Sequence, residues 1–293
     1  MAVDASVQTP PQSRHPGRTA KSWVRSILIH AALIPAAAVF LLPFLWMIST
    51  SLKSDAQLFA YPPIWIPNPL QWANYPRAVT YVPFFTYLRN TLIIAIGSMI
   101  GATLSSSLVA YSLARIRWPG RQILLLLTIA TLMLPYQVTI IPVFLVFKHL
   151  GWVGDFRPLI LPQFFGVAYY IFLLRQFFAS IPHELSEAAR IDGANEFRIY
   201  WSIVLPLAKP ALATVAIFQF IRSWTDYLGP LIYLNDQSLY TLQLGLYQYS
   251  GEHGREWGLL MAAAVLITLP PIIIFFLTQR TFVQGVTLTG IKG

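Results

Sequence analysis

Few residues of this chain could act chemically, and none is spaced for catalysis. The five histidines are scattered along the sequence. There is no phosphate-binding loop of the G-x-x-x-x-G-K-[ST] type and no H-E-x-x-H metal-binding pair. Cysteine is absent, which excludes disulfides and thiolate metal sites. The sequence therefore predicts a protein that is not an enzyme, binds no metal and holds no cofactor of its own.

Arg222 and Asp226 stand out because they lie inside a long apolar run. Charged groups at membrane depth are costly and usually face a cavity or a partner. A spacing of four residues would place both side chains on one face of a helix. They could border a solute path, or they could form an internal ion pair that holds the helix against a neighbour. The candidate path residues are Gln219, Arg222, Ser223, Trp224, Asp226 and Tyr227.

The composition explains why such residues must be positioned by membrane helices. Of the 293 residues, 56% are hydrophobic and 11% are charged, whereas a soluble domain carries about 25% charged residues. The mean hydropathy is +0.59, and the apolar residues fall in runs long enough to cross a bilayer. The sequence therefore predicts a polytopic membrane protein and excludes a soluble enzyme, a disordered chain and a fibrous repeat.

Six apolar runs predict an all-α fold with six transmembrane helices, because a helix satisfies its own backbone in lipid. Pro135 and Pro142 predict a kink in the third run. The predicted spans cover residues 26–50, 86–114, 122–147, 159–178, 211–234 and 257–278.

The distribution of basic residues predicts the orientation of these spans. Thirteen Lys and Arg residues fall on the side of the two chain ends and six on the other, with Arg222 inside the fifth run. Because cytoplasmic loops carry the excess of Lys and Arg, both termini are predicted to be cytoplasmic. Residues 53–83 and 235–256 are predicted to lie outside. The net charge of +9 is then explained without a nucleic-acid partner.

The chain is accordingly divided into three parts. Residues 1–25, rich in Pro, Ser, Thr and Arg, are predicted to be a flexible cytoplasmic tail. Residues 26–279 are predicted to form the six-helix transmembrane domain, and residues 280–293 a cytoplasmic C-terminal tail.

Between the fourth and fifth runs lies a polar segment, residues 180–209, predicted to be a cytoplasmic helix-turn-helix. Ser180 could cap its first helix, and Gly193 supplies the left-handed residue that ends that helix. Asn195 could cap a second helix, which Pro206 stops. The apolar faces of both helices would be exposed to water unless another protein docks there. A solvated connector is the plainer alternative.

The spacing inside this polar segment is specific. Glu187-Ala188-Ala189 is followed by three residues, Gly193, nine residues and then Ile203-Val204-Leu205-Pro206. This pattern resembles the EAA loop of ABC importer permeases. The string Glu187-Ala-Ala-Arg-Ile-Asp-Gly-Ala194 is similar to the carbohydrate-uptake branch, whose best-known members are maltose permease subunits.

The resemblance covers most of the chain. Residues 133–142 are similar to the third span of that branch, and residues 218–230 to its fifth span. The family usually has Asn where Thr225 stands. Residues 285–293 are similar to the tail of the branch.

The resemblance implies a subunit that forms half of a translocation path for a sugar or sugar-like solute and works by alternating access. It implies a second, different permease subunit, an outside solute-binding protein, and two ATPase subunits that bind ATP and magnesium. The complex would lie in the lipid of a prokaryotic plasma membrane. The residues implied in coupling to the ATPase are Glu184, Glu187, Ala188, Ala189, Asp192, Gly193, Ile203, Leu205 and Pro206.

Three alternatives remain open from the sequence. A secondary transporter driven by an ion gradient would need buried acids and two inverted halves, but Asp226 is the one serious intramembrane acid. A membrane-bound enzyme would need a catalytic constellation, and no residues of this sequence are spaced to form one. Within the resembled branch, the solute could be a glycerol phosphate ester, because Arg222 suits an anion.

Overall fold

A computed structural model describes the backbone of residues 20–251 and 254–290 and the side chains of residues 23–250 and 256–279. This part of the chain is almost entirely helical, as predicted, and it contains one short antiparallel pair of strands, β1 (Ser250–Gly251) and β2 (Gly254–Arg255). The chain divides into two compact units, Met1–Trp46 and Met47–Gly293. The first 19 residues of the predicted N-terminal tail lie outside the described residues.

The first long helix is α1 (Ala20–Ser51). Its described part begins at Ala20, and its candidate span Trp23–Ser51 contains the predicted run 26–50. Within the first unit its large apolar side chains are exposed on all sides, with Phe40 at 84%. A helix that is apolar all round suits a lipid environment.

The second unit contains the remaining helices. Short 3-10 segments at Leu161–Phe165, Gln237–Leu239 and Leu246–Tyr249 join several of them, and a π-helical segment lies at Tyr200–Val204. In chain order the helices are α2 (Asp55–Leu58), α3 (Asn74–Tyr81), α4 (Phe84–Arg115), α5 (Arg121–Thr131), α6 (Tyr136–His149), α7 (Arg157–Ile160), α8 (Ala168–Ser180), α9 (Glu184–Ile191), α10 (Glu196–Ile199), α11 (Leu205–Leu207), α12 (Lys209–Trp224), α13 (Leu228–Tyr233), α14 (Leu242–Gly245) and α15 (Trp257–Gly290).

The described residues hold four helices long and apolar enough to cross a membrane, or six spans if each of two bent pairs counts as one. This agrees with the six predicted runs. The third span is one bent pair, in which α5 and α6 meet at 102°. Pro135 has extended backbone and directly precedes α6 as its cap residue, so the predicted kink is a sharp break at this proline. Proline disfavours helical backbone at the residue before it, which explains why α5 does not run on.

The fifth span differs from the predicted continuous helix. α12 ends at Trp224, and α13 begins only at Leu228. Pro230 explains the break, because proline has no N–H to donate to the carbonyl of residue 226 and its ring would clash there. Arg222 and Asp226 therefore do not share a face of one helix, and that expectation is wrong.

The sixth candidate span, Trp257–Gln279, matches the predicted run 257–278, and its helix continues beyond it. α15 extends to Gly290, which lies within the segment 280–293 that the sequence predicts to be a cytoplasmic tail. Pro270 and Pro271 lie within this helix. Because Pro271 has no N–H, the carbonyl of Ile267 lacks its usual partner in the helix.

The long helix α4 lies at the centre of the packing. Near its C-terminal end, Ala110 belongs to a buried cluster with Leu174 of α8 and Val215 of α12. Near its N-terminal end, Tyr87 belongs to a second cluster with Ala263 of α15. α4 therefore contacts both helices that flank the polar segment and shares the second buried cluster with the last span.

Candidate functional site

The polar segment folds as two short helices that meet at a glycine turn. Gly193 has φ +81°, the left-handed conformation that favours glycine. Its N–H donates to the carbonyl of Arg190 at 3.0 Å, and the N–H of Ala194 donates to the carbonyl of Ala189 at 2.9 Å. These bonds end α9 in the manner of a Schellman turn.

The predicted cap of the second helix, α10, is confirmed, but the predicted cap of the first helix, α9, is wrong. The side chain of Asn195 accepts the N–H of Arg198 at 2.8 Å and caps α10. Ser180 does not cap α9, because it is the last residue of α8 and its hydroxyl donates to the carbonyl of Phe177 at 2.7 Å. His183 occupies the cap position of α9 without a side-chain hydrogen bond.

One face of α9 is buried and the other is open. Ser186 and Ala189 are buried, whereas the other predicted coupling residues of the helix and its turn are exposed. These exposed residues are Glu184, Glu187, Ala188, Asp192 and Gly193. Farther along, Ile203 and Leu205 are half-buried and Pro206 is exposed. The structure thus brings the acids, Ala188 and the glycine turn to one open surface and turns Ala189 towards the core.

Large apolar side chains accompany this open surface. Ile191 is 87% exposed, and Leu185 and Trp201 are also exposed. The rings of Phe197 and Trp201 are stacked, with centroids 6.4 Å apart. Large exposed apolar side chains close to one another indicate a surface that another protein covers.

Arg115, the last residue of α4, contacts the buried side of the polar segment. Its guanidinium donates to the carbonyls of Ile181 at 2.6 Å and Pro182 at 3.0 Å, and to the hydroxyl of Ser186 at 2.7 Å. Arg115 is 4% exposed. In sequence Arg115 is one of the thirteen basic residues on the side of the chain ends, and burial of its side chain depends on a turn more than 60 residues away.

Two further side chains of α4 reach the same segment. The hydroxyl of Tyr111 donates to Glu196 Oε2 at 2.7 Å, and the hydroxyls of Ser107 and Tyr200 are hydrogen-bonded at 2.7 Å. Arg190 Nε donates to Glu196 Oε1 at 2.9 Å. This hydrogen bond raises the pKa of the Arg190 guanidinium above its ordinary value.

A cavity of about 430 Å³ lies among the middle helices, within the size range of small-molecule sites. It includes four of the six predicted path residues: Gln219, Arg222, Ser223 and Asp226. Polar residues of other elements complete its lining, namely Tyr136, Gln163 and Tyr233. The sequence analysis missed these three, although Pro135 and Pro162 mark helix breaks beside two of them.

One hydrogen-bond acceptor among the residues that line the cavity, Gln219 Oε1, has no partner in the described part of the chain. Gln219 Nε2 donates to the hydroxyl of Ser223 at 3.0 Å. Gln219 Oε1 is buried without a hydrogen-bond partner, and the whole residue is 2% exposed. Buried polar atoms are normally paired, so Gln219 Oε1 is an acceptor that no described side chain satisfies.

Asp226 and Arg222 do not form the ion pair that the sequence left open. Among the described side chains, the ion pairs within bonding distance are Arg157–Asp155 and Arg190–Glu196. The carboxylate of Asp226 instead accepts the N–H of Gly229 at 3.1 Å. Arg222 interacts with this carboxylate at longer range and with the phenol of Tyr170. Both charges therefore border the cavity without neutralising each other by contact.

Trp224 and Tyr227 do not line this cavity. Trp224 is 2% exposed, and its indole N–H donates to the carbonyl of Ile267 at 3.0 Å. That carbonyl is the one that Pro271 leaves without a partner in α15, so Trp224 joins α12 to the last span. Tyr227 is 42% exposed and lies in the break between α12 and α13. In the described part of the chain, no group of His, Cys, Asp and Glu could hold a metal ion.

Comparison with known proteins places this geometry in a family. The family model described as "binding-protein-dependent transport system inner membrane component" matches residues 102–288. The chain is 35% identical over 267 residues to the sn-glycerol-3-phosphate transport system permease protein UgpE of Yersinia enterocolitica, covering 88% of this chain and 95% of that relative. It is 34% identical over 275 residues to the arabinooligosaccharides transport system permease protein AraQ of Halalkalibacterium halodurans, covering 93% and 97%.

A solved structure of an ABC transporter has the same fold as this chain. A solved bacterial ABC transporter involved in the import of the acidic polysaccharide alginate superposes with a TM-score of 0.79 at 26% identity, covering 92% of this chain and 100% of that chain. The matches exclude the secondary transporter and the membrane-bound enzyme, because such permeases are transport subunits whose ATPase is a separate subunit. The resemblance to ABC importer permeases of the carbohydrate-uptake branch is thereby confirmed. The chain belongs to the inner-membrane components of binding-protein-dependent transport systems and is a membrane permease subunit of an ABC importer.

Proposed function

We propose that this chain forms half of the translocation path for a sugar or another neutral polyhydroxylated solute, moved by alternating access. The observation that carries the proposal is the cavity, where Gln219, Arg222, Ser223 and Asp226 present donors and acceptors together. A hydroxyl group both donates and accepts. A solute with several hydroxyls can therefore use all of these groups at once.

The charges of the cavity favour a neutral solute. Arg222 supplies N–H donors, and Asp226 supplies acceptors. Because the two side chains carry opposite charges, a solute meets no net charge from them. Tyr136 and Tyr233 add aromatic surface and hydroxyls to the lining. The relative AraQ, which is named for arabinooligosaccharides, supports this solute class.

A glycerol phosphate ester is the second candidate within the same family. The relative UgpE is named for sn-glycerol-3-phosphate, and a guanidinium such as that of Arg222 binds phosphate through paired hydrogen bonds. Against this candidate, the carboxylate of Asp226 would repel a phosphate in the same cavity. Competition by the two solute classes separates these candidates.

We infer that α9 is the coupling helix and docks on an ATPase subunit. The exposed acids Glu184, Glu187 and Asp192 suit basic side chains of a partner, and the apolar side chains of Leu185 and Ile191 need a cover. The assembly would contain a second, different permease subunit, two ATPase subunits with ATP and magnesium, and an extracytoplasmic solute-binding protein. The family supports ATP on partner subunits.

The proposed orientation has both chain ends in the cytoplasm of a prokaryotic cell, with the polar segment on the same side. Leu70, which is 46% exposed, would then lie outside. Because the chain has no cysteine, Leu70→Cys and Arg198→Cys each introduce a single thiol. A thiol reagent that cannot cross the membrane should label the first in whole cells and the second only after lysis. The reverse pattern would overturn the orientation.

The solute proposal is tested on the complex reconstituted in proteoliposomes with its binding protein. Uptake of a labelled solute is measured in wild type, Arg222→Gln and Arg222→Lys. If the solute is neutral, both variants should transport it with a changed KM, and glycerol 3-phosphate should not compete in wild type. Tyr247→Phe, at an exposed position away from the cavity, is the control. Competition by glycerol 3-phosphate that disappears in Arg222→Gln would favour the phosphate ester instead.

A further inference from the structure

Three side chains at four-residue intervals along α4 hold the polar segment. Ser107, Tyr111 and Arg115 lie on one face of this helix, as their spacing requires. They contact Tyr200, Glu196 and Ser186 respectively, each through a 2.7 Å hydrogen bond. The end of α4 is therefore bonded to α9, α10 and the π-helical segment together.

Arg115 is the centre of these contacts. Besides Ser186, it donates to the carbonyls of Phe178 at 3.4 Å, Ile181 at 2.6 Å and Pro182 at 3.0 Å. These carbonyls lie at and just beyond the end of α8, where helical carbonyls have no partner within the helix. A buried guanidinium in turn requires such acceptors. Arg115 thus joins the ends of α4 and α8 to the start of α9.

The other half of α4 is bonded to the wall of the cavity. Ser98 donates to the carbonyl of Leu159 at 3.1 Å, and Ser105 donates to the carbonyl of Gln163 at 2.9 Å. Leu159, Gln163 and Ile94 of α4 itself all line the cavity. A continuous series of hydrogen bonds therefore runs from the polar segment, along α4, to the cavity.

The covalent route from the polar segment to the cavity is less direct. It passes through the π-helical segment Tyr200–Val204 and then an 80° bend between the helices that end at Leu207 and begin at Lys209. Such interruptions are where helices flex. α4, by contrast, is helical without a break from Phe84 to Arg115.

We propose that α4 is the element that carries motion of the coupling helix to the cavity, and that Arg115 and Tyr111 are the positioning residues that make α4 and the polar segment move as one body. This inference rests on the proposed docking of α9 on the ATPase. Loosening the attachment should let the ATPase turn over while the cavity responds incompletely. ATP would then be consumed without solute movement.

The test measures the number of ATP molecules hydrolysed per solute molecule transported by the reconstituted complex with its binding protein. Tyr111→Phe removes one hydroxyl and keeps the ring, and Arg115→Lys keeps the charge but not the branched donors. Arg115→Gln removes the charge as well. We expect the ratio to rise about 3-fold to 10-fold in Tyr111→Phe and Arg115→Gln, with a smaller rise in Arg115→Lys. Subunit association is checked by copurification.

Tyr169→Phe is the matched control, because Tyr169 is 49% exposed on the neighbouring helix α8. It should keep the wild-type ratio. If Arg115→Gln fails to assemble, the measurement rests on Tyr111→Phe. A wild-type ratio of ATP hydrolysed to solute transported in assembled Tyr111→Phe and Arg115→Lys would overturn the proposal. An equal fall of uptake and of ATP hydrolysis in these variants would overturn it as well. The proposed function fails separately, if the wild-type complex itself shows no solute-stimulated hydrolysis or uptake.

Discussion

The carboxylate of Asp226 and the backbone N–H of Gly229 are hydrogen-bonded at 3.1 Å across the break in the fifth span. Pro230 prevents a continuous helix at this point, and the aspartate satisfies a donor that the break would otherwise leave free. The same carboxylate borders the cavity. One residue therefore both shapes the break and contributes to the candidate path.

Replacing Gly229 with Ala should disturb this arrangement. A Cβ at residue 229 would collide with the Asp226 carboxylate and would come within 2.9 Å of Leu159 Cδ2. We expect the carboxylate to leave its position, so that the KM for uptake changes in an assembled complex. Gly97→Ala, whose Cβ would meet the side chain of Ile160, is the control. Unchanged uptake kinetics in Gly229→Ala would show that the position of Asp226 does not matter for transport.

Trp224→Phe should lower stability rather than alter the solute. The indole N–H is the donor to the Ile267 carbonyl, and Pro271 cannot replace it. Leaving a buried carbonyl without a partner costs about 1–3 kcal/mol. We expect a lower thermal unfolding midpoint for the purified complex and an unchanged KM. Trp72→Phe, at a 63% exposed position, should leave the midpoint at the wild-type value. A changed KM without loss of stability would return Trp224 to the path.

Gly193→Val should misdirect the turn between α9 and α10. The space around a Cβ at this position is open, so the cost comes only from the φ of +81°, about 1–2 kcal/mol for a residue with a side chain. Gly193→Asn is the matched variant because asparagine tolerates this conformation. We expect ATPase association and solute-stimulated hydrolysis to fall in the valine variant and to be retained in the asparagine variant. Equal activity of the two would contradict a role for the turn geometry.

Glu187→Lys should weaken docking of the ATPase. The side chain is exposed in the first turn of α9, so the substitution reverses a charge on the open surface without disturbing the core. We expect the variant to reach the membrane while copurified ATPase and uptake fall together. The comparison variant is His183→Lys, at the exposed cap position of α9. It adds a positive charge beside the acids but keeps the Glu187 carboxylate. If Glu187→Lys binds the ATPase as wild type does, the coupling role of this residue is wrong.

The spans and the glycine turn could be predicted from sequence because their causes are local. An apolar run long enough for a bilayer becomes a helix, and Gly193 and Asn195 act on neighbouring backbone groups. Pro230 carries an equally local signal for the break after Trp224, but the continuous hydropathy of the fifth run favours one unbroken helix. That interpretation produced the incorrect shared helix face for Arg222 and Asp226.

The remaining features depend on contacts between distant parts of the chain. Arg115 is indistinguishable in sequence from the solvated basic residues around it, and only the turn at Ile181 and Pro182 gives its guanidinium acceptors. Tyr136 and Gln163 join Gln219 in the cavity through the packing of three spans. Sequence spacing carries no information about such meetings.

The break in the third span bears on how long an unassembled copy of the protein survives in the cell. At the junction of α5 and α6, Met133 is 81% exposed and Leu134 is 58% exposed, and the backbone there departs from a continuous helix. Non-helical backbone at membrane depth is tolerated only where protein or water covers it. If the proposed second permease subunit covers this junction, a copy synthesised without that subunit would present it to lipid. We therefore expect unassembled copies to be short-lived, so that the amount of this protein in the membrane follows the supply of its partner rather than its own rate of synthesis.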